Sequence, residues 1–418
     1  MIISDIDSLI FLFFILLHTK YRVMIFYFNP GHETAVHNAS PYYTSPANIV
    51  RMQHELAYLP AWYGQREDVV LIYDLSNQDF FNYISNHLEH IPKPITQNEL
   101  NDFSSSEVSL WGVSPQAIYV FDELKKELNV ELDCPEWRDE FKYLNSRLSA
   151  KDCLEEVVKN VQGISGNILP RFYDNLADIE SVVDKSNVQY LAKAPYSSSG
   201  RGLLWLPVTG LTRTERQILH GILKKQGVVS VERVLDKQTD FAMEFMCDGM
   251  GGISFEGYSL FKTNGKGAYS GNYIGGQDYI KNQLIRYLPS SLLEDIKNVL
   301  TEILREKYAL LYKGCIGIDM LVYRENDRYL LHPCLEINMR YNMGYLALKL
   351  YENHILSSSY GQFNLVFSAI EGSIFNQHQQ MQQSYPSLFE NKRLKKGYLP
   401  LCPVNENSKY WAYILIED

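Results

Sequence analysis

Residues 190–204 read YLAKAPYSSSGRGLL: a short apolar strand ending at Lys193, a loop of serines and glycines, and a return to apolar residues. A lysine at a strand end is ordinarily just solvated. Next to a loop whose N–H groups can approach phosphate oxygens, it becomes a candidate phosphate-binding cation. Its partner lies far downstream in LEINMR, residues 335–340, where Glu336, Asn338 and Arg340 fall at every second position and so share one face of a strand. A phosphate-neutralising cation, a phosphate-cradling loop and oxygen ligands for a hard metal ion are the separate requirements of one chemistry, the binding of ATP with Mg2+. The chain contains no GxxxxGK[ST] stretch, so a different fold must hold the nucleotide.

Asp319 supports the same reading. It interrupts an apolar run that includes Ile316, Ile318, Met320 and Leu321, and a buried carboxylate without a cation costs several kcal/mol. Glu336, on the strand expected to follow, has the same difficulty. Both are relieved if the pair faces one magnesium-loaded cleft with Asn338 as a neutral third ligand; Mn2+ would suit the same oxygens. The plainer alternative is that these carboxylates face solvent or pair with Arg340.

Composition sets the frame. With 418 residues, 46% hydrophobic and 21% charged, the chain can bury a large core divided into two or three packing units. Its charge of −10 is spread out, which argues against a nucleic-acid partner and confines anion binding to a local pocket. The six cysteines form no CxxC pair, so reduced thiols and a cytoplasmic location fit best. Residues 9–17, LIFLFFILL, are very apolar but fall short of the roughly 20 residues that span a bilayer. Asp5 and Asp7 precede them where a secretory signal would be positive, so residues 1–23 read as an overlong start or an extension, with no stable membrane association expected.

From Met24 onward, apolar strands alternate with helical stretches, which predicts a small three-layer α/β domain over 24–139. Its strands are expected at MIFYFNP, at 69–75 and at 109–113, with a helix at 47–59 and another capped by Ser114 and Pro115. A helix at 146–160 leads into an α+β region, 140–370, whose strands include 227–235, 240–246, 315–323 and 329–340. Thr212 with Glu215, and Ser291 with Glu294, have capping-box spacing. Helical sequence is expected to continue to about Ala369, followed by a polar Gln-rich stretch and one last strand, so that 371–418 packs back on the core.

This order of motifs resembles the ATP-grasp superfamily, its carboxylate–amine ligases in particular, over about residues 140–345, with a weaker likeness to the domain that precedes ATP-grasp domains. The resemblance implies a two-lobed nucleotide-binding fold and assigns roles residue by residue. Lys193 matches the second phosphate-binding lysine, and Ser198, Ser199, Gly200 and Gly202 fall in the mobile glycine-rich loop. Arg147 stands where the first lysine is usual, and Lys151, one helical turn later, is its alternative. Glu232 matches the residue that meets the adenine amino group, Arg233, Val234 and Leu235 would line the base, and Asp240 would meet the ribose. Asp319, Glu336 and Asn338 match the metal ligands, and Arg340 the arginine on the transferring phosphoryl group.

The implied reaction is activation of a small-molecule carboxylate as an acyl phosphate, attacked by an amine, with release of ADP and phosphate. Phosphorylation of a hydroxyl, acid–thiol ligation, and nucleotide binding without turnover are the rival readings. In FNPGHETAVHNAS, residues 28–40, His32, Glu33 and His37 fit no metal-site spacing and read as a substrate-facing loop. Lys262 or Lys266 could face an acidic substrate or simply belong to a hairpin turn. Neither the acid, the amine nor the oligomeric state is written in the sequence.

Overall fold

The computed structural model describes residues 22–184, 187–197, 200, 202–265 and 267–418. The N-terminal extension up to residue 21, Ser198, Ser199, Arg201 and Lys266 lie outside the described residues.

Short apolar runs without polar alternation suit strands covered by helices on both faces, and here they build a parallel sheet. Its strands are β1 (Met24–Tyr27), β2 (Val69–Leu71), β3 (Lys93–Ile95), β4 (Ser106–Leu110) and β5 (Leu132–Asp133), in the order β3-β2-β1-β4-β5. The order reverses at β1, which puts the loops after β1 and β4 side by side at the carboxyl ends of the strands, where this topology ordinarily places a ligand. β2 is shorter than expected and β4 starts earlier, while β3, only KPI, is too brief to show a pattern. The expected helix at 47–59 runs only from Ala47 to Glu55 before a 3-10 turn over Leu59–Trp62. Ser114 caps the helix Pro115–Leu128 as anticipated, its Oγ accepting from the Ala117 N–H at 3.2 Å.

Two antiparallel sheets follow, giving the two-lobed α+β arrangement expected after the α/β domain. The smaller consists of β6 (Arg171–Tyr173), β7 (Tyr190–Lys193), β8 (Leu203–Leu206) and β9 (Val229–Arg233), ordered β6-β9-β7-β8. Its core, including Ile179, Ala192, Leu219 and Val231, joins the strands to the helices Leu176–Asp184 and Arg213–Gln226. Thr212 and Glu215 form the reciprocal capping box that their spacing requires.

The larger sheet has nine strands. These are β10 (Asp236–Asp248), β11 (Ile253–Thr263), β12 (Tyr269–Ile274), β13 (Lys313–Glu325), β14 (Arg328–Asn338), β15 (Tyr360–Phe367), β16 (Leu388–Glu390), β17 (Arg393–Pro400) and β18 (Tyr410–Glu417). The β13–β14 hairpin turns at Asn326 and Asp327, both with positive φ, residue types that tolerate the left-handed region. Along β10 and β13 the side chains alternate. Phe241, Met243, Phe245, Ile316, Ile318 and Met320 enter the core beneath the helix Ser290–Lys307, and the intervening residues face a cleft between the two sheets.

Three expectations fail in this region. The helix after LEINMR stops at His354, and Tyr360–Phe367 is a strand held between β12 and β18. The Gln-rich stretch belongs to a helix, Ser373–Ser384, which buries Ile374 and His378. Ser291 and Glu294 make no capping box, since the helix has already begun at Ser290 behind Pro289. β17 and β18 extend the large sheet through β15, so residues 371–418 are structurally continuous with it. No helix among the described residues is long and apolar enough to cross a membrane.

Candidate active site

The cleft floor is laid down by strand register. Asp319 on β13 stands directly opposite Glu336 on β14, and Gly317 opposite Asn338. Two facing carboxylates repel, and burial together with Glu336 pushes the Asp319 carboxyl well above its usual range. The Asn338 side chain hydrogen-bonds Asp319, and its Oδ1 accepts from Arg340 Nη2 at 2.9 Å. A hard divalent cation would remove the repulsion. Among the described residues no three His, Cys, Asp or Glu side chains converge as a metal cluster; what faces the cleft here is two carboxylates and an amide.

Beyond Asp319 the pairing slips, with the next partners being Leu321 and His332, so β14 bulges where it passes the helix Arg147–Asn160. The bulge brings Leu335 O to 3.3 Å from Arg147 Nη1. Arg147 also donates to Glu336 Oε2 at 2.8 Å and, through Nε, to Ala194 O at 3.2 Å, tying the floor to the strand end beside the glycine-rich loop. A lysine has one ammonium where this position uses three separate guanidinium N–H groups. Lys151 pairs instead with Glu155 at 2.7 Å and does not line the cleft that Arg147 lines.

Lys193, at the end of β7, is buried and forms an ion pair with the half-buried Glu232 on β9. A cavity of about 470 Å3 unites these groups with Asp319, Glu336, Asn338 and Arg340. Arg233, Val234, Leu235 and Asp240 line it too, beside the apolar Leu191 and Leu203. Several of these groups already have protein partners: Arg233 meets Glu325 at 3.1 Å, the Val234 N–H donates to Gln189 O at 2.9 Å, and Asp240 meets Lys237 and Thr263 at 2.7 Å.

Gly200 borders the cavity at φ 73°, and a Cβ there would lie 2.9 Å from the backbone of Gly267 and Ala268. The two glycine-bearing loops can therefore touch only without a side chain at 200. Gly202 does not line the cavity; its carbonyl accepts from the Ala194 N–H at 3.0 Å.

The N-terminal domain reaches the same space. Asn29 locks the loop after β1 to the loop after β4, its Nδ2 donating to Gly112 O at 2.7 Å and its Oδ1 accepting from the Gly112 N–H at 3.2 Å. The segment expected as a loop is helical over His32–Asn38, and its first turn delivers Glu33 to Arg340, whose Nε donates to Glu33 Oε1 at 2.6 Å. Burial alone would raise the Glu33 carboxyl, but the Arg340 guanidinium holds it at about 2. His32 is buried against Val113 O at 3.1 Å and pushed down to about 4, mainly by burial. His37 stacks on Tyr196 outside the cavity.

Glu244 is the residue that sequence reading passed over. It lies on β10 within DFAMEFM, fully buried and bordering the cavity. The signal was available, because it is a carboxylate inside an apolar run, like Asp319 one strand away.

No protein-family model matches the chain. No curated protein matches it either. Among solved structures it is similar to N5-carboxyaminoimidazole synthetase from Staphylococcus aureus, at 10% identity over 94% of this chain and 93% of that one, with a TM-score of 0.47. The corresponding ribonucleotide synthetase from Thermus thermophilus shows 13% identity over 95% and 94%, with a TM-score of 0.46. A biotin carboxylase ATP-analogue complex from Campylobacter jejuni shows 11% identity over 95% and 87%, also at 0.46. Likenesses at this level say nothing about the reaction, which has to be read from the side chains.

Proposed function

We propose that the chain is an ATP-grasp enzyme, an ATP-dependent ligase that joins a carboxylate to an amine through an acyl phosphate. The observation that carries the reading is the convergence of Lys193 and Arg147 with Asp319, Glu336, Asn338 and Arg340 around one cavity large enough for a nucleotide. Lys193 and Arg147 offset triphosphate charge, Arg340 stabilises the transferring phosphoryl group, and Leu191, Leu203 and the 232–235 segment receive the base. Asp319, Glu336 and Asn338 would hold Mg2+, which when bound supplies charge neutralisation to the phosphates. No side-chain nucleophile is needed.

The ion pairs of Lys193 and Arg147 belong to this logic. Each buried cation is kept by an acid that phosphate oxygens replace, which lowers the cost of desolvating the cation in the fold. The test is ADP release with pooled carboxylates in the presence of hydroxylamine. Hydroxamate formation that depends on ATP and Mg2+ is expected. A phosphorylated product without hydroxamate would make the protein a small-molecule kinase instead.

A further inference from the structure

The cavity lining also includes Phe28, Trp111, Met343, Asn342, Ser259 and Glu244, and the strand register sets Glu244 two positions along β10 from Ala242, the residue opposite Asp319. None of the nucleotide or metal roles uses these residues. Glu244 is 1% exposed and lopsided in its bonding. Its Oε2 accepts from Asn342 Nδ2 at 2.8 Å, whereas Oε1 has no hydrogen-bond partner among the described residues. Space beside Oε1 is kept by Gly344, where a Cβ would lie 2.1 Å from that oxygen and 2.5 Å from Ser259 Oγ. Ser259 Oγ accepts from Asn272 Nδ2 at 2.7 Å, which leaves its own O–H to donate. Buried polar groups ordinarily find partners, so a carboxylate oxygen left open at a cavity wall points to a ligand that brings N–H donors or positive charge. A second metal ion is the poorer fit, because Glu244 brings one carboxylate where the cleft floor brings two, Asp319 and Glu336.

Resting on the ligase reading above, we propose that this part of the cleft is the acceptor subsite, and that it takes a protonated amine whose N–H groups are received by Glu244 Oε1. The apolar faces of Phe28, Trp111 and Met343 then cover the carbon adjoining the nitrogen. Glu244 also serves as the base. The ammonium gives one proton to the Glu244 carboxylate, and the freed lone pair attacks the acyl-phosphate carbonyl carbon. The C–N bond forms as the C–O bond to phosphate breaks, phosphate leaves with the bonding pair and takes the second nitrogen proton, and Glu244 returns its proton to water. Burial pushes the Glu244 carboxyl up to about 8, with Asp319 raising it further and Asn342 and Arg340 opposing; an ammonium arriving beside Oε1 favours the ionised form, and the carboxylate it meets is then basic enough to take a proton.

Two measurements on the full chain test this. In the first, thermal stability is compared in methylammonium chloride and in sodium chloride of equal ionic strength, for the wild type, Glu244→Gln and Ser259→Ala. Stabilisation specific to methylammonium is expected in the wild type and lost in E244Q; its absence from the wild type, or its persistence in E244Q, overturns the subsite. S259A keeps the carboxylate and guards against an E244Q that fails to fold, with a weakened but present shift expected and an undiminished one counting against Ser259. In the second, the ratio of amine-supported to hydroxylamine-supported ADP release is measured with pooled primary amines, since hydroxylamine is uncharged at neutral pH. The ratio is expected to fall at least about tenfold in E244Q. A ratio within about twofold of wild type overturns the proposal even if hydroxamate forms. A Glu244-dependent methylammonium shift without any hydroxamate would sustain the subsite and remove the ligase reading.

Discussion

Two parts of the cleft handle buried charge in opposite ways. In the phosphate part each of three cations is held by an acid, Lys193 by Glu232, Arg147 by Glu336 and Arg340 by Glu33. In the other part an acid, Glu244, has an amide on one oxygen and nothing on the other among the described residues. A fold can keep cations buried by lending them carboxylates that an incoming polyanion displaces. Where it buries an acid without a cation, the missing charge has to arrive with the ligand.

The largest effect that would break this contrast comes from the floor. Glu336→Gln keeps an oxygen to accept from Arg147 but loses a metal-binding charge, and ATP turnover is expected to fall about 10³-fold or more, read as ADP release. Asp319→Asn should be as inactive, yet at least as resistant to urea as the wild type and by up to about 1 kcal/mol more so, because it removes the repulsion with Glu336. Activity within about tenfold of wild type in either variant would take that residue out of the site. A strongly destabilised D319N would mean that the carboxylates do not oppose each other.

The pair on the opposite wall comes next. Lys193→Met leaves Glu232 half-buried without its cation, so stability should drop by about 3 kcal/mol while turnover falls about 10²-fold. Adding Glu232→Gln should restore most of the stability and none of the activity. A double-mutant cycle of urea midpoints measures this, with a coupling of about 2 kcal/mol or more expected. Additive effects would show that the pair is a surface contact rather than a buried one.

Much of this was legible in the sequence where a rule concerns neighbours along the chain. The every-second-residue spacing of Glu336, Asn338 and Arg340 placed them on one face, and Thr212 with Glu215 and Ser114 with Pro115 marked true helix starts. What was not legible depends on register and on partners distant in sequence. That Asp319 faces Glu336 follows from a hairpin turn and a bulge, and that Arg340 meets Glu33 follows from a short helix, His32–Asn38, with Glu33 307 residues away. Tyr360–Phe367 was misread because a strand in the middle of a sheet owes its conformation to β12 and β18 on either side, and no local signal announces them. Lys151 against Arg147 could not be resolved from spacing alone, since the choice turns on the Leu335 carbonyl that the bulge supplies.

The smallest predicted effect sharpens the contrast through pH. The Glu244 carboxyl lies at about 8 in the fold against an ordinary 4.5, so between these values the folded chain holds a proton that the unfolded chain has released. Its contribution to stability is therefore fully present below pH about 4.5, erodes as pH rises and is gone above about 8. Histidines act in the reverse sense: burial pushes His332 and His378 down to about 4, so their contribution is present above about 6.5 and lost as pH falls toward 4. Glu244→Gln cannot titrate, so it should flatten the alkaline side alone. Its stability relative to wild type, from urea unfolding, is expected to grow by about 1–3 kcal/mol between about pH 5 and 8, while the acid side stays superimposable. A parallel pair of curves would mean that Glu244 stays ionised throughout, which requires a cation the fold already supplies and would erase the difference between the two parts.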